Sequence, residues 1–226
     1  MKLLVIRHGE PDYSRDCLTE NGIWQAEKLA QRLKSEDIAA AYTSPMGRAR
    51  QTAQICMDGR DIPLTECGWL HEFDVTMVHD GRPKEIWDIP PKSWTQTPQY
   101  YDKDIFHTAG EAADSEIKAR YDAVRSGLDS LLAQHGLERR GQIYHAAAEH
   151  DKTIVMFCHF GATCVIAAHL LGISPIVTLQ GFSAEPTAIA TFCTDDRFGA
   201  DVNFRLHGFG DISHTGSAAT GTVNYQ

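Results

Sequence analysis

The chain predicts an α/β fold built on a largely parallel sheet. Two short, unbroken apolar runs, LLVI (3–6) and TIVMFC (153–158), read as strands buried on both faces. Segments of helical spacing alternate with strand-like runs along most of the chain. Strands joined through helices pair in parallel and are covered on both sides.

The elements follow in order. From Thr19, a candidate N-cap, Ile23, Ala26, Ala30 and Leu33 recur three or four apart and predict a helix. A second strand is expected over about 38–42, closed by Ser44-Pro45. Pro45 suits the first turn of a further helix through Arg48 to Met57, with Ala49, Ala53 and Cys56 on its apolar face. A third strand is expected around Leu64. Residues 68–110 keep no period and carry Trp69, Trp87, Trp94, Tyr100 and Tyr101. They read as a loop-rich insertion with short helices, of the kind that covers a functional site. Glu111 to about Gln134 reads as one long helix lined by Ile117, Tyr121, Val124, Leu128 and Leu131. The strand at 153–158 leads into a mostly apolar helix ending near Gly172, and later strands are expected at 187–193 and 202–209. Residues 1–212 are expected to form a single domain, with the Gly-, Ser- and Thr-rich stretch 213–226 as a flexible tail.

Bulk properties narrow the function. The 226 residues are 42% hydrophobic, enough for a sizeable core, and the net charge is −9. An acidic chain offers no electrostatic footprint for nucleic acid or an anionic membrane. Any bound anion must sit in a local pocket, against the overall field. No apolar run approaches the roughly 20 residues that span a bilayer, and the N-terminal one is too short for a signal peptide. Six cysteines form no C-x-x-C pair. Reduced, buried thiols in a cytoplasmic protein are the expectation. Oligomeric state is left open.

Three expected strand ends carry unusual polar residues. The first ends in Arg7-His8-Gly9, the second leads through Ser44 to Arg48, and TIVMFC ends in His159. In a parallel sheet these tips open on one edge, where ligands bind. Two arginines and two histidines then converge, with helix N-termini adding partial positive charge. Gly9 and Gly161 allow close approach of a bound group. Phosphate is the natural guest, because guanidinium forks pair with its oxygens. Singly, each residue reads as an ordinary surface cation or structural histidine; the shared edge is what favours an anion site.

LLVIRHGE and TSPMGRARQTA resemble the two N-terminal motifs of the histidine phosphatase superfamily, the phosphoglycerate mutase-like proteins. FCHFGA resembles that family's second-histidine motif and LHEFD its acidic segment, so the resemblance spans about residues 2–195. It implies a three-layer α/β/α fold with a mostly parallel central sheet. It also implies phosphoryl transfer through a phosphohistidine, without metal or cofactor. His8 would be the nucleophile. Arg7, Arg48 and His159 would hold the phosphoryl oxygens, with Gly9 leaving room for the group. Glu72 would be the general acid, then the base for water. Glu66 and Asp74 are rival carboxylates, and Glu10 reads as a turn or orienting residue. HTAGEA (107–112) also resembles a family segment, but Ala112 stands where the family usually has a hydroxyl, so no role passes to it.

The superfamily divides between hydrolases and mutases. The mutases' first motif continues to an asparagine where this chain has Ser14. Their middle region is also richer in basic residues, whereas here 68–110 holds seven Asp and Glu against four Lys and Arg. Hydrolysis of a small-molecule phosphomonoester is therefore expected ahead of mutase transfer. A metallohydrolase lacks its ligand spacings here. A non-catalytic phospho-ligand module is the remaining alternative, and no visible loss of a core residue supports it.

Overall fold

A computed structural model describes residues 1–113 and 115–216. Its strands are β1 (Lys2–Arg7), β2 (Pro11–Asp12), β3 (Cys17–Leu18), β4 (Ile38–Thr43), β5 (Leu64–Glu66), β6 (Thr76–His79), β7 (Arg82–Glu85), β8 (Leu137–Arg140), β9 (Ile143–Ala146), β10 (Thr153–Cys158), β11 (Ile189–Asp195) and β12 (Asp201–Asp211). Its α-helices are α1 (Glu20–Leu33), α2 (Gly47–Met57), α3 (Pro91–Thr95), α4 (Ile117–Gln134), α5 (Phe160–Leu171) and α6 (Pro175–Gly181).

The main sheet has eight strands in the order β5-β4-β10-β1-β11-β12-β9-β8. The β5-β4-β10-β1 half is parallel throughout, and the other half extends it with antiparallel pairs. Alternation along the strands explains the unbroken apolar runs. Leu4, Ile6, Val155 and Phe157 face α1 and α2, packing with Leu29, Leu33 and Ala53. Leu3, Val5, Ile154 and Met156 face the opposite way, against α4, α5 and the insertion. Both faces are dry over 3–6 and 154–158, so those positions are apolar. The mixed sheet between two helical layers is the expected three-layer arrangement.

Register sets the site. Arg7 pairs with Cys158 across β1 and β10, so His8 and His159 leave the sheet side by side. Thr43 pairs with Phe157, which brings Ser44 to the same edge. The His8 amide donates to the Cys158 carbonyl at 3.0 Å, and the Ser44 amide to the Phe157 carbonyl at 2.9 Å.

Thr19 caps α1 as expected, accepting from the Gly22 amide. Other boundaries differ. α4 starts at Ile117 and not at Glu111. Residues 110–112 form a 3-10 turn instead, pinned by Tyr100, whose hydroxyl donates to Glu111 Oε2 at 2.9 Å and accepts from the Ala112 amide at 3.3 Å. Pro45 precedes α2 and does not enter its first turn, because Met46 is the N-cap. The insertion holds the β6–β7 hairpin as well as short helices, and its Leu70, Phe73, Met77, Ile86, Tyr100 and Phe106 join the core. All six cysteines are free thiols; Cys56, Cys158 and Cys164 are buried as expected, while Cys17, Cys67 and Cys193 are half-buried. Ser213–Thr215, placed in the flexible tail by composition, form a 3-10 turn in which His214 pairs with Thr187 at 3.0 Å. The rest of that tail, 217–226, lies outside the described residues.

Candidate active site

His8 sits just past β1 and is 1% exposed. Its Nδ1 lies 2.7 Å from the Gly9 carbonyl, which can only accept, so Nδ1 carries the hydrogen. A neutral ring then leaves a lone pair on Nε2. Burial first, and the Arg7 guanidinium second, lower the His8 pKa to about 3. The ring is therefore neutral at pH 7, with Nε2 facing Arg48 Nε at 3.2 Å.

His159 is the N-cap of α5 and is fully buried, its ring 5.1 Å from that of His8. Its Nε2 lies 2.8 Å from Ser44 Oγ. That hydroxyl oxygen also accepts from the Met46 amide at 3.3 Å, and its O–H, with no other acceptor among the described residues, donates to His159. Nδ1 then carries the His159 hydrogen, yet it is buried and has no hydrogen-bond partner among the described residues. Burial, followed by His8 and Arg48, holds this histidine well below its usual pKa, so it is a neutral donor. Arg7 Nε is a second buried donor without a partner, while Arg7 Nη1 donates to the Ala184 carbonyl at 2.6 Å. Buried donors are normally satisfied.

Glu72 lies across the site. Its Oε1 accepts from the Phe73 amide at 2.8 Å and the Ala162 amide at 3.3 Å, in the first turn of α5. Burial raises its pKa in spite of those bonds and of the nearby arginines. Arg120 of α4 steadies the segment, donating to the Glu72 carbonyl at 2.6 Å and to Asp74 at 2.7 Å. Arg7, Arg48 and Glu72 line one cavity of about 320 Å³, together with Tyr13, Asp74, Glu85, Trp87, Asp88 and Phe160. Among the described residues, no group of three or more His, Cys, Asp or Glu side chains gathers as a metal site would, and no helix is long and apolar enough to cross a membrane.

The family model described as "Histidine phosphatase superfamily (branch 1)" matches residues 3–200. The chain belongs to the histidine phosphatase superfamily. Adenosylcobalamin/alpha-ribazole phosphatase of Salmonella typhimurium is 38% identical over 91 residues, 35% of this chain and 45% of that protein. A 2-carboxy-D-arabinitol-1-phosphatase of Triticum aestivum is 30% identical over 112 residues, 43% of this chain and 22% of that protein. The matched stretches thus span less than half the length of these curated relatives. A crystal structure of a phosphoserine phosphatase mutant from Entamoeba histolytica, in complex with phosphoserine, shares the fold. It has a TM-score of 0.62 and 24% identity over 94% of this chain and 98% of that one.

Within this superfamily fold, the sequence located Arg7, His8, Arg48, His159 and Glu72 around one site. Glu66 lies elsewhere, half-exposed and paired with Arg50 at 3.4 Å. Gly9 has a packing role of its own. Its amide donates to Thr52 Oγ1 at 3.0 Å and its carbonyl takes the His8 hydrogen. A Cβ on it would lie 2.6 Å from the Gly22 carbonyl oxygen. Its small size serves the packing of the turn after β1 against α1. Gly161 makes room in another way: a Cβ there would lie 2.8 Å from Glu72 Oε1. Glu10 orients the chain, accepting from Thr19 Oγ1 at 2.7 Å and Asn21 Nδ2 at 2.8 Å. Sequence reasoning missed Ser44, Arg120 and the Ala184 carbonyl that holds Arg7. Ser44 alone left a signal, since it stands inside the TSP motif.

Proposed function

We propose that the protein hydrolyses small-molecule phosphomonoesters without a metal ion, through a phosphohistidine on His8. The observation that carries this reading is the neutral His8, its Nε2 lone pair held toward Arg48 beside two unpartnered donors. His8 Nε2 attacks phosphorus, and the ester oxygen leaves with the proton of Glu72. The Glu72 carboxylate then takes a proton from water, whose oxygen attacks the phosphohistidine and releases phosphate. Arg7, Arg48 and His159 neutralise charge on the phosphoryl oxygens, which is most of what phosphoryl transfer needs. The raised pKa of Glu72 suits a group that must begin protonated.

Support for hydrolysis over mutase transfer comes from the cavity wall. Asp74, Glu85 and Asp88 line the same cavity as Arg7 and Arg48, and a second phosphate beside them would meet like charge. Trp87 and Phe160 offer rings for an apolar or planar part, their centroids 5.9 Å apart. The names of the curated relatives do not decide between the two, since phosphoglycerate mutases match this chain as well as phosphatases do. The reading includes a cytoplasmic setting, a small-molecule partner and no nucleic acid. A panel of phosphomonoesters assayed with a metal chelator tests it. Hydrolysis is expected to persist at full rate under chelation, and dominant mutase turnover of 3-phosphoglycerate would overturn the hydrolase assignment.

A further inference from the structure

The β2–β3 hairpin has no part in the chemistry above, yet it grips the cation that donates to His8 Nε2. We infer that Asp16 is a positioning residue that fixes the Arg48 guanidinium at the phosphoryl site; the inference rests on the phosphohistidine reading. Asp16 Oδ1 accepts from Arg48 Nη1 at 2.6 Å, and Oδ2 accepts from the Gly47 amide at 2.6 Å. Both oxygens are engaged, so the carboxylate cannot swing. Arg48 Nη2 reaches Met46 Sδ at 3.5 Å, and the Tyr13 ring lies 5.3 Å from the guanidinium carbon. With the rest of the fork held, Nε is left facing His8 Nε2. The Arg48 side chain is 7% exposed, so its end of the pair is shielded, although that of Asp16 is 44% exposed.

The backbone is shaped for this contact. Asp16 has φ +48, in the left-handed region that Asp tolerates better than most residues. A Cβ on Gly47 would lie 2.1 Å from the Asp16 carbonyl oxygen, so only glycine lets the hairpin dock. Met46 supplies no side-chain cap to α2, and Asp16 Oδ2 takes that place. Capping needs only one oxygen. The second, charge-assisted bond to Arg48 goes beyond it. An unclamped guanidinium on a flexible stem loses alignment with the reacting group, and small misalignments are costly in rate.

Asp16→Asn separates the two roles. It keeps an oxygen for Gly47 and tolerates the same φ, but it removes the charge that holds Arg48. Turnover on the best phosphomonoester and the affinity for inorganic phosphate by calorimetry are read together, with melting temperature as control. The expected result is a loss of roughly ten-fold in kcat/KM and in phosphate affinity, with melting temperature near wild type. In an Arg48→Ala background the same substitution is expected to cost nothing further. Asp16→Ser also keeps an oxygen without charge; it must give the same pattern, and it carries the test if Asp16→Asn does not fold. Wild-type values in the Asp16 variants, or an equal loss in the Arg48→Ala background, would overturn the inference. Turnover surviving His8→Ala would overturn the phosphohistidine reading instead, and the phosphate titrations would still decide the role of Asp16.

Discussion

Individual protonation states carry the chemistry, and two of them bear on stability. The unfolded His8 titrates near 6.5 and the folded one near 3. Between those values the unfolded chain takes up the proton, so stability falls as pH drops below 6.5. The melting temperature is expected to fall over that window, and His8→Gln to flatten part of the fall. Glu72 runs the other way. Its folded pKa lies above its unfolded one, so its contribution is present at acid pH and is lost as pH rises through the folded value. Glu72→Gln is therefore expected to raise the melting temperature at pH 7 while lowering kcat on an alkyl phosphate about 10²- to 10³-fold. On an aryl phosphate, whose leaving oxygen needs no proton, the loss should be much smaller; equal losses on both would remove Glu72 as the acid. The central residues were legible because they follow strands that the apolar runs mark. Glu72 was legible only through family resemblance, since its neighbours Ala162 and Arg120 lie 90 and 48 residues away. Asp16 was not legible at all. Its partner Arg48 is 32 residues distant, joined through a hairpin with strands of two residues each.

At the scale of elements, the site depends on how closely β1 approaches α1 and α2. Gly9 and Gly22 meet backbone to backbone, and a Cβ on Gly22 would lie 2.2 Å from the Glu10 carbonyl oxygen. Helix propensity alone would favour Gly22→Ala by about 1 kcal/mol. The clash reverses that sign: the variant is expected to be destabilised by about 1–3 kcal/mol in denaturant unfolding, the usual cost of overpacking. It is also expected to lose turnover, because the displaced turn carries His8. The helices α1, α2 and α5 and the strands β1, β4 and β10 were readable from periodicity and capping. The β6–β7 and β8–β9 hairpins were not, because RPKE and LERR lack the apolar alternation that marks a strand. Likewise the packing of Gly9 against Gly22 was not readable, since sequence cannot tell which neighbour occupies the space a glycine leaves.

Across the whole molecule, charge opposes the phosphate ester proposed as substrate. The chain carries −9 overall, and Asp74, Glu85 and Asp88 add local negative charge at the cavity. An anionic ester must approach Arg7 and Arg48 through that field, so kcat/KM is expected to rise with moderate salt as the repulsion is screened. The rise should be steeper for a bisphosphate than for a monophosphate; no salt dependence in either would mean that the acidic wall does not face the entering substrate. Composition gave the sign of this field, and the folded insertion brings part of it to the cavity. The central claim is that His8 carries the phosphoryl group between the two half-reactions. Rapid mixing with substrate, alkaline quench and peptide mass spectrometry test it most directly. One phosphoryl group is expected on His8 during turnover, and neither label nor turnover in His8→Ala. Label on another residue, or undiminished hydrolysis by His8→Ala, would contradict it.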